Sequence, residues 1–421
     1  MKIAIFGSNA CADFFAQRLL EDDRVKMIYH VKPSFLCYDS DRYTVIDSED
    51  IKDAGNIRIG LDFLETTDAD MVLATNLTIQ MWPEFHEICN RRNILKISPD
   101  HSVGIFEWSK IEGKKLLKGL GIPTPNSKSM KAQDLVDNFF TIPRPYVIKF
   151  ERDWRAGLQT VVVTDDSVVQ EYENLLKYGL KRNLNKEFGE YVDQYVSIED
   201  FIEGIQEYSW HAVFNNTSWK YIGSARDYKK RYEYDQGFNT SGMGSYSPVK
   251  DVDIIINEYA NKLWNYFRSK NIDYRGFLYL GIMIGKDKVP YVLEINTRPG
   301  DPEIQSIIPT MKNNLVDLLY DIAQDQLLEP IELSGQTAVS LRLVNKDYSL
   351  DLVPNTDIRY PDLYPNTGNI YIQHNRDRAL LNSVLTVVDE DIEKSRSRLY
   401  EFLKNKDMGD FVYRTDIGYY E

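Results

Sequence analysis

The sequence predicts a multidomain protein of mixed α/β and α+β class, and three observations carry that expectation. Strand-like and helix-like segments alternate between Lys2 and Ser98, the chain breaks at Gly121-Ile-Pro-Thr-Pro125, and beyond Ile331 the pattern turns strand-rich. Alternation of this kind builds a parallel layer with right-handed crossovers. At roughly 100–200 residues per domain, two to four domains are expected from the 421 residues.

The elements follow in order. KIAIFG (Lys2–Gly7) is a short apolar strand ending in glycine, with a helical pattern after it through Leu20. MVLAT (Met71–Thr75) is a second buried strand, Pro83–Arg91 a helix, and NILKIS (Asn93–Ser98) a third strand. The first strand leads into Gly7-Ser8-Asn9 rather than G-x-G-x-x-G, so a dinucleotide fingerprint is absent. A helix from about Ser109 to Lys118 stops at Gly119. YVIKF (Tyr146–Phe150) and TVVV (Thr160–Val163) read as strands flanking a connection, with a helix over Asp165–Tyr178. Strands around Ser197–Ile202 and Tyr208–Phe214 come next. Ala225–Pro248 is long, polar and punctuated by Gly237, Gly242 and Gly244, and is expected to be a functional loop without regular structure. GFLYLGIMIG and VPYVLEIN are strands, a helix follows Pro309, and a last helix covers Asp391–Lys404. Internal repeats and low-complexity segments are absent.

Composition narrows the function classes. The chain is 43% hydrophobic and 27% charged with a formal net charge of -14, which argues against general nucleic-acid binding through phosphates. No apolar run approaches the roughly 18 residues that cross a bilayer, so no membrane association is expected. Three scattered cysteines (Cys11, Cys37, Cys89) point to reduced thiols and the cytoplasm. The five histidines are scattered too, which disfavours a histidine-built metal site.

The most informative stretch is YVLEINTRPGDPE (Tyr291–Glu303). A strand alternates faces, so Glu294 and Asn296 project from one side. Two oxygen donors there suit Mg²⁺, a hard cation that keeps waters or substrate phosphates in its shell; the plainer reading is a hydrogen-bonded pair. Arg298 can hold a carboxylate or phosphate through two parallel bonds, or pair with Asp301 or Glu303 across the turn. Lys110 opens a helix, where a phosphate also meets backbone N–H groups. Lys149 ends a buried-type strand and needs an anion, either a protein carboxylate or a ligand phosphate. Glu199, Asp200 and Glu207 offer carboxylates for ribose hydroxyls or amino groups.

Three separated stretches resemble the glycinamide ribonucleotide synthetase (phosphoribosylamine–glycine ligase) family of the ATP-grasp superfamily. ARDYKKRYEYDQGFNTSGMGSYSP (Ala225–Pro248) is similar in length and spacing to the family's A-Q-D-H-K-R-x-G-D-x-D-x-G-P-N-T-G-G-M-G-A-Y-S-P. LEINTRPGDPEIQ (Leu293–Gln305) is similar to its E-F-N-x-R-F-G-D-P-E-x-Q, and SVLTVV with YRTDIGY (Tyr413–Tyr419) to its closing strands. Collinear matches reach Glu107-Trp-Ser-Lys110 and GIPTP, so the resemblance covers nearly the whole chain.

The resemblance implies an ATP-grasp fold in four parts. These are an N-terminal parallel α/β domain with a linker helix (1–121), a mobile lid (122–192), a central domain (193–328) and a strand-rich C-terminal domain (329–421). It implies ATP and Mg²⁺, with Mn²⁺ as a substitute, in a reaction that phosphorylates a carboxylate and lets an amine displace the phosphate. On that reading Glu294 and Asn296 carry the metal, and Lys110 and Lys149 neutralise phosphate oxygens. Glu199, Asp200, Phe201 and Ile202 form the adenine-contacting strand, and Glu207 meets the ribose. Arg298, Asp227 and Lys149 are the catalytic set. Gly7, Asp227, Asn239, Thr240, Gly242, Met243, Gly244, Arg298, Gly300 and Asp301 line the substrate pockets for an amino acid (glycine) and an amine acceptor. A monomer and a homodimer both stay open.

The departures fall in the loops. Ala156-Gly157-Leu158-Gln159 stands where the family's lid carries G-K-G, so either Arg152 or Arg155 replaces the lost lysine or the lid grips ATP less tightly. Gly7-Ser8-Asn9-Ala10 replaces a glycine-rich first loop, and Ala74–Thr78 a G-P-E turn. In the central loop Tyr228 replaces His, and Tyr232-Glu233-Tyr234 replaces G-D-G. Two further readings follow: a relative joining glycine or another amino acid to a different amine, such as a modified nucleotide, and a non-catalytic nucleotide-binding remnant.

Overall fold

The computed structural model describes residues 1–7, 9–31, 40–46, 55–76, 80–131, 134–135, 141–150, 160–164, 195–252, 254–345, 359, 361, 363, 369–375 and 382–419. The helix expected at 165–178, the lid loop with Arg152, Arg155 and Leu158, and Leu77-Thr78 lie outside them.

The N-terminal part is the expected parallel layer. Strands β1 (Lys2–Phe6), β2 (Met27–Val31), β3 (Tyr43–Ile46), β4 (Met71–Ala74) and β5 (Leu95–Ile97) pair in parallel in the order β3-β2-β1-β4-β5. The order reverses between β1 and β4, and ligands of such sheets bind outside the strand ends at that reversal. Gly7 and Thr75 lie there. A Cβ on Gly7 would stand 2.0 Å from Thr75 Oγ1, so only glycine allows this approach. The helix Ala10–Leu20 follows, with Asn9 accepting from Ala12 N as its cap.

A four-stranded antiparallel sheet comes next, from β6 (Ser127–Lys131), β7 (Tyr146–Phe150), β8 (Thr160–Val163) and β9 (Tyr195–Asp200), in the order β6-β9-β7-β8. Burial follows the run of apolar side chains along β7, whose only charged residue is Lys149.

The remaining strands are β10 (Gly204–Phe214), β11 (Trp219–Asp227), β12 (Lys230–Tyr232), β13 (Gln236–Asn239), β14 (Gly244–Ser247), β15 (Gly276–Gly285), β16 (Pro290–Asn296), β17 (Thr337–Asn345), β18 (Ile370–Asn375), β19 (Asn382–Asp389) and β20 (Phe411–Val412). Apart from the β12–β13 hairpin they form one sheet, ordered β16-β15-β10-β11-β14-β17-β19-β18, with β20 on β17. The central and C-terminal parts therefore share a sheet through the β14–β17 pair.

The expectation of irregular backbone over Ala225–Pro248 is corrected here. The segment holds the end of β11, the β12–β13 hairpin and β14. β14 is buried and paired on both sides, to β11 and to β17. Its partner β17 is remote in sequence, and a short glycine-led strand whose pairing is non-local carries little local signal.

Strand alternation sets up the site. Along β10, Tyr208, Trp210, Ala212 and Phe214 enter one apolar core with Leu280, Ile282 and Ile295. Glu207, Ser209 and His211 take the opposite face. The helix Leu315–Ala323, Phe277 and the N-terminal helix residues Phe14, Phe15 and Leu19 pack together in a second core. Among the described residues, no helix is long and apolar enough to cross a membrane.

Candidate active site

The register across three strands brings the polar residues together. Asn296 of β16 faces Tyr279 of β15, which faces His211 of β10. One pair along, Glu294 faces Gly281 and Gly281 faces Ser209. Glu294 and Asn296 thus share a face, as the sequence predicts. Burial alone would neutralise Glu294, but Lys110, Lys229 and Lys149 hold its carboxyl well below the usual range. Lys110 Nζ lies 3.6 Å from Glu294 Oε2. Asn296 is 3% exposed and lies beside Glu294 on the same strand face.

Lys110 is the first residue of the helix Lys110–Gly119, whose cap Ser109 accepts from Glu112 N. One turn later Lys114 meets Glu199 at 3.1 Å, and Lys149 reaches the same carboxylate at 3.4 Å. Lys149 also donates to Leu293 O at 2.6 Å, and Lys114 to Thr124 Oγ1 at 2.8 Å. Burial, with Lys149 adding repulsion, pushes Lys114 down to about 7. Lys149 is thus paired with a protein carboxylate here, and Glu199 sits between two lysines. Asp200, at the end of β9, faces outward and accepts from Asn126 Nδ2 at 2.9 Å; Phe201 and Ile202 are half-buried in the link to β10.

Arg298 pairs with neither Asp301 nor Glu303. Its Nε donates to Glu107 Oε1 at 2.8 Å, while Thr297 N donates to Glu107 Oε2 at 2.7 Å. Glu107 thus aims the guanidinium and leaves Nη2 uncommitted to this clamp. Asp301 instead accepts from Arg342 Nη2 at 2.9 Å and Gln305 Nε2 at 2.8 Å.

Around Arg298 the carboxylates crowd. Burial and the neighbouring Glu303 push Asp227 well above the carboxylate range, and burial raises Glu303 as well. Two adjacent buried carboxylates do not both ionise. Lys229 lies 3.0 Å from Glu207 Oε1, and this partner outweighs burial to keep it charged. His211 is fully buried, stacked on Tyr279 at 4.7 Å, and driven down to about 3 by burial and by Arg298. Gly242 has φ +104°, and a Cβ there would stand 2.9 Å from Asp227 Oδ1. The N-terminal domain reaches the same place: Cys11, at the start of the Ala10–Leu20 helix, feels the charges of Asp301 and Arg298.

Residues 108–304 match the family described as phosphoribosylglycinamide synthetase, ATP-grasp (A) domain. The phosphoribosylamine–glycine ligase of Leptospira interrogans is 30% identical over 344 residues, covering 78% of each chain. The chain belongs to the phosphoribosylamine–glycine ligase family. The Streptococcus pneumoniae member is 26% identical over 449 residues and covers 99% of both chains. The crystal structure of the Thermotoga maritima ligase superposes with a TM-score of 0.74 over 99% of this chain at 23% identity. Biotin carboxylase of Campylobacter jejuni, at 16% identity and a TM-score of 0.70, shares the ATP-grasp fold.

Within the family frame, other predicted positions are distributed unevenly. Asn239 Nδ2 donates to Thr160 O of β8, and Thr240 Oγ1 to Lys229 O at 2.8 Å, so this loop ties β8 to the site. Met243 is buried against Val344, and Gly244 packs under Ser340 O, where a Cβ would stand 2.7 Å away. Sequence reasoning gave no role to Lys114, His211, Lys229 or Tyr279, met Glu107 only within the E-x-S-K match and offered Glu303 only as a partner for Arg298. Two of them carried a signal. Lys114 is four residues from Lys110, hence on the same helix face, and His211 alternates with Ser209 on the polar side of an otherwise apolar strand.

Glu294 and Asn296 fit a divalent cation of the ATP-grasp type. They present an ionised carboxylate and a carboxamide on one strand face. No cluster of three or more His, Cys, Asp or Glu suited to a metal exists among the described residues. Two protein oxygens and a shell completed by phosphate oxygens is how Mg²⁺ is commonly held.

Proposed function

We propose that the chain joins glycine to 5-phosphoribosylamine at the expense of ATP, giving glycinamide ribonucleotide in purine biosynthesis. The observation that carries this reading is the run from Glu294 to Arg298. A two-oxygen metal pair is followed two residues later by a guanidinium that Glu107 aims, with Lys110 at 3.6 Å from the metal carboxylate.

ATP lies between the four-stranded sheet and β16, its adenine along Asp200–Ile202 and its ribose at Glu207. Glu294 and Asn296 hold Mg²⁺, or Mn²⁺ in its place, which supplies charge neutralisation for the phosphates. Lys110 and Lys149 add positive charge beside them. Arg298 fixes the glycine carboxylate, so one of its oxygens is positioned for attack on the terminal phosphorus of ATP, and ADP departs. The amine of phosphoribosylamine then attacks the carbonyl carbon of the acyl phosphate and displaces phosphate, forming the amide. No side-chain nucleophile is required; positioning and charge neutralisation are the protein's work. Gly7, where no side chain fits, allows the close backbone approach that a phosphorylated amine needs at the reversal of the N-terminal sheet. The cytoplasm, where free thiols persist, is the setting this reading fits; Cys11 and Cys89 are both free and buried.

The altered central loop supports an unchanged acceptor. Tyr228 OH donates to Tyr419 O at 3.3 Å and accepts from Gly418 N at 3.2 Å, and Tyr234 N donates to Asp416 Oδ2 at 2.9 Å. The Tyr228 side chain thus serves the docking of the chain's end, and Tyr234 joins it through its backbone N–H. The test is ADP release with glycine and phosphoribosylamine together. The proposal expects turnover dependent on both; turnover with glycine and a different amine only would overturn it.

A further inference from the structure

His211 is fully buried in the middle of β10 and stacks on Tyr279 with the rings inclined by 21°. Its neighbours fix its tautomer. Ser209 Oγ donates to Ala225 O at 3.0 Å, so what it offers the imidazole is a lone pair, and His211 Nε2 donates to it at 3.0 Å. With the proton on Nε2, Nδ1 is a bare acceptor. It has no hydrogen-bond partner among the described residues. A buried acceptor left unpaired is costly, and a ligand donor removes that cost.

The surroundings say which donor. A Cβ on Gly300 would stand 2.9 Å from His211 Cε1, the carbon bonded to Nδ1, and 2.8 Å from Glu303 Oε2. The missing side chain is what lets the imidazole and the carboxylate converge. Asp227 neighbours Glu303 electrostatically, and its Oδ1 also lacks a partner among the described residues. Beside the Arg298 guanidinium there stand, then, three acceptors from three different elements. An α-amino acid has the complementary pattern, a carboxylate for the guanidinium and an ammonium with three N–H groups.

We infer that His211 Nδ1 accepts one N–H of the amino-acid substrate's ammonium, with Asp227 and Glu303 taking the other two. This rests on the reading that Arg298 holds the glycine carboxylate. With all three N–H groups engaged, the ammonium keeps its proton and cannot compete with phosphoribosylamine for the acyl phosphate. His211 then selects for a primary amine, because N-methylglycine has one N–H fewer and places a methyl group against an acceptor.

The test compares His211→Phe, which keeps a stacking ring and removes the acceptor, with His211→Asn, whose side-chain oxygen occupies the place of Nδ1. His211→Phe is expected to raise the KM for glycine roughly tenfold or more, the weight of a hydrogen bond to a charged group, with the KM for ATP within about twofold. His211→Asn recovers most of the loss, and discrimination against N-methylglycine narrows in the Phe variant alone. An unchanged glycine KM in His211→Phe overturns the inference. A second measurement needs no variant to fold: in ¹⁵N-histidine-labelled wild type, saturating glycine shifts one non-protonated Nδ1 resonance upfield, and no shift contradicts the assignment. Wild-type turnover on glycine and phosphoribosylamine is measured alongside, so a failure at His211 is distinguishable from a failure of the ligase reading.

Discussion

Glu294 is a carboxylate that burial should neutralise and that three lysines keep charged. That balance suits it to a cation. Glu294→Gln removes the charge and keeps the shape, and we expect kcat to fall about a hundredfold or more, with a higher Mg²⁺ concentration needed for half-maximal rate. A wild-type Mg²⁺ profile in the variant would refute the metal role. Arg298→Lys loses the planar fork that Glu107 aims, so the glycine KM should rise well beyond any change in the ATP KM. The buried histidines give a pH signature. Burial drives His30 down to about 4 and His211 to about 3, below the unfolded value of about 6.5. Below pH 6.5 the unfolded chain takes protons that the folded chain refuses, so stability falls as pH falls toward 4. Each histidine contributes a slope of up to about 1.4 kcal/mol per pH unit. Urea midpoints at pH 6.5 and 4.5 should converge in His30→Asn; an unaltered difference would count against this. At this scale the sequence spoke clearly where spacing encodes geometry, as in the E-x-N of β16. It met Glu107 only as part of the E-x-S-K match, because its partner Arg298 lies far along the chain, and it read Glu199 as a nucleotide contact, because its clamp on two lysines needs tertiary contact.

Among the elements, the β12–β13 hairpin and the chain's end form one unit. Arg414 is 2% exposed and gives Nε and Nη2 to Asp416 at 2.8 and 2.6 Å and Nη1 to Lys230 O at 2.8 Å. Removing one member of such a buried network leaves an unpaired charge. Arg414→Ala should therefore cost about 3–5 kcal/mol, read by chemical denaturation, and should raise the glycine KM because the hairpin adjoins Asp227. A loss below about 1 kcal/mol would show the network to be dispensable. Long periodic elements such as Pro290–Asn296, Gly276–Gly285 and Ile392–Leu403 were legible from their alternation or helical spacing. β14 was not, since four residues led by glycine gain strand character only from two flanking partners.

Across the whole molecule, the N-terminal, central and C-terminal parts share one interior. Phe15 meets Phe277 at 5.5 Å between ring centroids and Phe14 meets Tyr371 at 5.8 Å, while Arg24 bridges to Asp317 at 2.6 Å. Phe15→Ala should cost about 3–5 kcal/mol and shift a single calorimetric transition rather than split off an N-terminal one. Two resolved transitions would mean the parts fold apart. The central claim is chemical: the glycine carboxylate held by Arg298 receives the terminal phosphoryl group of ATP. Turnover with glycine labelled by ¹⁸O in both carboxylate oxygens tests it most directly. The account predicts one ¹⁸O in each phosphate released, whereas phosphate free of label would contradict it.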